Sequence, residues 1–189
     1  MKSKVKILKK DIFCLSFFLF LFLFSLFFLD KFTIPKIKAL DIFFYLFKEI
    51  YSYIILAILI CLAFIYLNRK HKSNLKKEFL SLATTILLVF FLKFLISRER
   101  PDIGPYIGSS FPSNHAAIPS SLLPFLKNFS FIFWLLVCFY ISLSRVYWQY
   151  HYFSDIFGGM FIAYLIGLAI KYFKPKTIKK HARHMDRKK

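Results

Sequence analysis

The chain has 189 residues, 58% of them hydrophobic and 21% aromatic, with 27 phenylalanines and a mean hydropathy of +0.58. That composition excludes a water-soluble domain of this size and points to an integral membrane protein, whose spanning backbone must be helical. The formal charge of +19 does not point to nucleic acid, because the cations are split among several segments flanking apolar runs instead of forming one basic domain.

Five lysines in residues 2–10 precede the first apolar run, 12–29. The run is longer than a typical signal-peptide core, and the LDKFTIPK that follows has no small-x-small cleavage site, so it is expected to stay as a signal anchor. The stretch KFTIPKIKALDIFFYLFKEI, 31–50, mixes apolar and charged residues. It reads as a connector that could include an amphipathic helix at the outer interface, beside a lipid entrance.

The second run, 51–67, is followed by Arg69, Lys70, Lys72, Lys76 and Lys77. The third, 80–97, carries Lys93. A cation at such a depth costs on the order of 3 kcal/mol unless it meets a polar cavity or an anionic partner. Lys93 and Arg100 would share a face of a continuous helix, but Pro101 makes Arg100 a helix end, free to bend toward a surface pocket. Taken alone, this stretch reads first as a snorkelling lysine with flanking arginines.

The fourth run, 115–125, is short and holds Pro119 and Pro124, so hydropathy alone reads it as a loop or a re-entrant piece. It opens on SSFPSNHA, in which Pro112, Ser113, Asn114 and His115 form a polar turn before apolar sequence. Free N–H groups at such a helix start attract anions, and His115 beside them could donate a proton to a leaving oxygen. By itself a serine there is an ordinary helix cap.

The fifth run, 129–147, ends near Arg145, and the sixth is 154–173. His151 and Asp155 between and within them are spaced i to i+4, so the carboxylate can reach one imidazole nitrogen and leave the other as a nucleophile. Asp155 would also suit the N-terminal end of a helix as a plain charge. The basic tail 174–189, KPKTIKKHARHMDRKK, is expected to lie on anionic phospholipid, at about 1 kcal/mol per near-surface cation. Cys14, Cys61 and Cys138 fall inside apolar runs without C-x-x-C or Cys/His spacing and read as packing residues.

Six runs place the basic segments together on one side, which marks that side as cytoplasmic with both termini inside. The ends of runs three to six bearing Lys93, Arg100, Ser113, His115, Arg145, His151 and Asp155 then meet at the opposite surface. One pocket is allowed there, with three cations to clamp an anion and two histidines for different tasks.

These residues resemble the signature of the type-two phosphatidic acid phosphatase superfamily, which includes acid phosphatases and vanadium haloperoxidases: K-x6-R-P, then P-S-G-H, then S-R-x5-H-x3-D. The first part matches at Lys93, Arg100 and Pro101, and the third at Ser144, Arg145, His151 and Asp155. The second matches at Pro112, Ser113 and His115, with Asn114 in place of glycine, a residue that still tolerates left-handed geometry. The resemblance covers 93–155.

The resemblance implies an all-α polytopic helical bundle of about six transmembrane helices with a phosphatidic acid phosphatase/haloperoxidase-like core, forming one domain over 1–189. It implies His151 as the nucleophile giving a phosphohistidine, Asp155 as its orienter and His115 as the proton donor. Lys93, Arg100, Ser113, Asn114 and Arg145 would bind the phosphate, without metal or cofactor. The expected partner is a membrane lipid phosphate, lipid A phosphate first and undecaprenyl diphosphate next, with phosphatidic acid and phosphatidylglycerol phosphate open. The expected location is a bacterial inner membrane, with the site on the periplasmic face. A phosphotransferase using the same site and a catalytically silent lipid-binding scaffold are the alternatives.

Overall fold

The computed structural model describes residues 9–48, 51–71, 75–101 and 108–173. Seven α-helices follow in chain order: α1 (Lys9–Phe27), α2 (Lys38–Phe44), α3 (Tyr51–His71), α4 (Leu75–Ile96), α5 (Asn114–Ser120), α6 (Asn128–Tyr147) and α7 (Phe153–Tyr172). Single 3-10 turns occur at Leu29–Lys31, Tyr45–Phe47 and Leu123–Phe125, and no strand is found among the described residues. The lysines before residue 9 and the tail 174–189 lie outside the described residues.

Helices α1, α3, α4, α6 and α7 are each long and apolar enough to cross a membrane. Their outer faces carry Phe13, Phe20, Leu87, Phe94 and Phe129, all more than half exposed. In water such a surface would drive aggregation, whereas hydrocarbon solvates it. The protein is thus an all-helical, multi-pass membrane protein.

The ends of the bundle are identified by polar ties. At one end Asp11, near the start of α1, accepts hydrogen bonds from Lys171 at 3.0 Å, Tyr164 at 3.3 Å and the Tyr172 hydroxyl, all on α7. Lys77 of α4 donates to the carbonyls of Lys171 and Phe173, both at 2.8 Å, and so caps the last turn of α7. At the other end Asp30, just past α1, meets Ser154 at the start of α7. The first and last described residues therefore lie at one end and the starts of α5 and α7 at the other.

The fourth expected span differs from a full transmembrane helix. It is the seven-residue α5 and the turn Leu123–Phe125, almost wholly buried inside the bundle. It runs parallel to the central α7 at very short range. A Cβ on Gly159 would lie 3.0 Å from the Ser113 carbonyl oxygen, and one on Gly167 would lie 2.9 Å from the Ser121 carbonyl oxygen and 2.7 Å from Pro124 Cγ. The missing side chains are what let the two backbones approach. The segment carries the chain from one end of the bundle toward the other, so the alternation of direction holds although five helices among the described residues are long and apolar enough to span.

The connector 31–50 does contain a short helix, α2, and it is strapped to the last turn of α6. Tyr147 donates to Asp41 at 2.6 Å, Trp148 Nε1 to the Phe44 carbonyl at 3.1 Å, and Arg145 to the Phe47 carbonyl. Ile42, Phe43 and Tyr45 stay exposed on its outer side, as an interfacial helix requires.

Candidate functional site

Four helix ends supply the polar residues. The last turn of α4 brings Lys93, the chain beyond it Arg98 and Arg100, the start of α5 Ser113 to His115, the last turn of α6 Arg145, and the start of α7 Asp155, with His151 in the turn between α6 and α7. The α5 and α7 starts are tied directly, since the Ser113 N–H donates to the Asp155 carbonyl at 3.1 Å.

A cavity of about 800 Å³ opens between these ends. Lys93, Arg100, Asn114, His115 and His151 line it; Ser113, Arg145 and Asp155 are buried and are not among its lining residues. Its rim includes Tyr53 of α3 and Phe90 and Phe94 of α4, each at least half exposed on the outside of the bundle. The cavity thus has three cations, Lys93, Arg98 and Arg100, against one carboxylate, Glu99, on its walls, and an apolar side opening toward the surroundings of α3 and α4.

His151 is 4% exposed and its Nδ1 lies 3.5 Å from Asp155 Oδ2. Burial pushes its imidazole down to about 4; the nearby Asp155 carboxylate pulls upward, and Lys93 and Arg100 add to the downward push. The ring is therefore neutral at pH 7. Asp155 is fully buried and accepts from the Tyr152 N–H at 2.8 Å and from Arg98 at 2.9 Å. His115 is 1% exposed; its Nε2 pairs with Ser52 Oγ at 2.9 Å and its ring packs against Tyr53 at 4.4 Å between centroids.

The expected anion clamps are held by carbonyl groups. Lys93 Nζ donates to Ser109 O at 2.6 Å, and Arg100 donates to Gly108 O at 3.0 Å and Tyr150 O at 2.9 Å. These bonds solvate the cations that a lone apolar helix could not keep, while leaving Lys93 and Arg100 on the cavity wall. Arg145 lies over the Tyr150 ring as well as on the Phe47 carbonyl. Ser113 Oγ and Asn114 Oδ1 are buried with no hydrogen-bond partner among the described residues; of the two, the Ser113 hydroxyl can donate to an anion.

Sequence reasoning missed Arg98, Asp30 and Ser52. Arg98 was read only as a flank, yet it joins Asp30 and Asp155, each at 2.9 Å, and lies over the Tyr152 ring at 4.2 Å. Its place in KFLISRERP was a local signal; Asp30 and Ser52 had none, Asp30 being 68 and 124 positions from Arg98 and Ser154, and Ser52 being 63 from His115. Among the described residues no three of His, Cys, Asp and Glu are grouped as metal ligands would be.

Residues 75–179 match the family model described as the PAP2 superfamily. The chain is 30% identical over 102 residues to phosphatidylglycerophosphatase B of Bacillus subtilis (strain 168), the match covering 45% of this chain and 50% of that protein. It therefore spans about half the length of the curated relative it matches. Its fold is similar to the crystal structure of the first transmembrane PAP2-type phosphatidylglycerolphosphate phosphatase from Bacillus subtilis. The TM-score is 0.58 and the identity 22%, over 87% of this chain and 95% of that one.

Proposed function

The chain belongs to the PAP2 superfamily, and from that premise we propose that it is a membrane lipid phosphatase with His151 as nucleophile and His115 as proton donor. One observation carries this reading: a single cavity has both histidines, Lys93 and Arg100 on its walls and exposed phenylalanines at its rim. A phosphate headgroup fits such walls, and acyl tails fit such a side opening.

Asp155 orients His151 through Nδ1, leaving Nε2 to attack phosphorus. The N–P bond forms as the P–O bond to the lipid breaks, and His115 delivers its proton to the departing oxygen. Water then attacks the phosphohistidine and passes a proton to His115. The N–P bond breaks, phosphate leaves, and both histidines return to their starting states. Lys93, Arg100 and Ser113 offset charge on the phosphoryl oxygens in both steps, with Arg145 behind them and the Asn114 amide beside them. No step needs a metal ion.

The site lies at the end of the bundle opposite Lys9 and Phe173, the first and last described residues, beyond which the sequence is rich in Lys and Arg. By the excess of Lys and Arg on the cytoplasmic side, it faces the outer surface of a bacterial cytoplasmic membrane, with both termini inside. Among substrates, likeness to a phosphatidylglycerophosphatase favours phosphatidylglycerol phosphate. Lipid A phosphate and undecaprenyl diphosphate, expected from the family resemblance of the sequence, belong in the same assay.

The test is phosphate release by purified protein from these three lipids and phosphatidic acid, with chelator present and His151→Ala alongside. Release that the substitution abolishes upholds the reading. Release equal in the two proteins, or dependent on a metal, overturns it. Phosphate appearing on a second lipid instead of in solution would make the enzyme a transferase.

A further inference from the structure

A second concavity, of about 440 Å³, lies between α3 and α6, away from the catalytic cavity. Leu59, Leu62 and Tyr66 of α3 line one side and Phe129, Phe133 and Trp134 of α6 the other, and no carboxylate is on its walls. Along α3 the lining positions 59, 62 and 66 form a stripe at helical spacing, and Arg69 is the next position on that stripe. Lys127 caps the start of α6 beside Phe129. Arg69 and Lys127 are both exposed, so the apolar groove ends at two cations.

Length fits one kind of occupant. From Leu59 to Arg69 the helix rises about 15 Å, half of a hydrocarbon core of about 30 Å. The groove is therefore one leaflet deep, with its charged end at the membrane surface on the side of the bundle opposite the catalytic site. An acyl chain lying against Leu62 and Trp134 would put its headgroup phosphate beside Arg69 and Lys127.

We infer that this groove is a binding site for an anionic phospholipid of the leaflet opposite the catalytic one. Its phosphate is held by Arg69 and Lys127, and one acyl chain lies between α3 and α6. The site is separate from catalysis and does not depend on the phosphatase reading. It would fix the spacing of α3, whose other end holds Ser52 against His115.

Trp134 lines the groove, no tryptophan lines the catalytic cavity, and the chain has two tryptophans. In Trp148→Phe protein Trp134 is the sole such fluorophore. The full chain is placed in phosphatidylcholine vesicles, and brominated phosphatidylglycerol or brominated phosphatidylcholine is titrated in as a quencher. Phosphatidylglycerol is expected to quench at the lower mole fraction. In Arg69→Gln/Lys127→Gln protein that preference is expected to shrink by about fivefold for each cation removed.

Equal quenching by the two lipids, or a preference that survives the double substitution, overturns the site. So does no quenching by either lipid, which would mean that a second copy of the chain covers the groove. Should Trp148→Phe fail to fold, native mass spectrometry of the unaltered protein reads the same preference. There the expected result is retention of phosphatidylglycerol over phosphatidylcholine, and equal retention overturns the site.

Discussion

Arg98 joins Asp30 at the end of α1 to Asp155 at the start of α7, with one terminal nitrogen 2.9 Å from each carboxylate. The first helix is thereby connected to the orienter of the proposed nucleophile, a link that sequence distance conceals. Because Asp155 is wholly buried, its charge depends on such donors.

Arg98→Gln should cost about 2 kcal/mol of stability through the partners it strands, read as a lower thermal midpoint in detergent. Merely structural damage would stop there. Here Asp155, no longer shared with a guanidinium, should pull harder on His151 and raise its proton affinity. The acid limb of kcat/KM should then move to higher pH, and Arg98→Lys should restore part of both effects. An unmoved pH profile would limit Arg98 to stability.

Because burial pushes His151 down to about 4, the nucleophile is neutral through the physiological range. Phosphate release should fall only as pH drops toward 4, where the imidazole takes up a proton. Stability has the same sign. Relative to an unfolded value of 6.5, the folded protein resists protonation, so stability is full above pH 6.5 and falls by about 3 kcal/mol toward pH 4. His151→Gln should remove that contribution and all turnover; melting curves between pH 7 and 4 check it.

Asn114 stands where the resembling signature has glycine, and its Oδ1 is buried in the cavity wall with no partner among the described residues. An acceptor oxygen there opposes a phosphoryl oxygen. Asn114→Gly should raise kcat/KM on a small phosphate ester by about fivefold, the scale of one hydrogen-bonding group. A loss on the lipid substrate would instead assign the amide a binding role.

Gly159 and Gly167 of α7 offer a paired test of the α5 crossing. Valine at either should cost about 1–3 kcal/mol through overpacking, because the obstacles include the backbone oxygens of Ser113 and Ser121, the residues just before and just after α5. Only Gly159→Val pushes on Ser113, next to His115, so it should lower kcat as well. Gly167→Val should leave kcat near that of the unaltered protein once both are assayed well below their melting points.

The sequence by itself determined the helical class, the apolar runs, the basic segments and the cluster of charged motifs near helix ends. Those are local properties: an apolar run of about 20 residues must form helix in hydrocarbon, and His151 and Asp155 are four positions apart in the chain. Three features were decided only by tertiary structure. Pairing of Arg98 with Asp30, and of Ser52 with His115, comes from helices distant in sequence, whose polar ends must satisfy one another once water is excluded. The fourth crossing is made by a seven-residue helix because Gly159 and Gly167 lie beside it. A short, proline-bearing segment can exist at that depth only when neighbouring protein encloses its backbone, which hydropathy does not register.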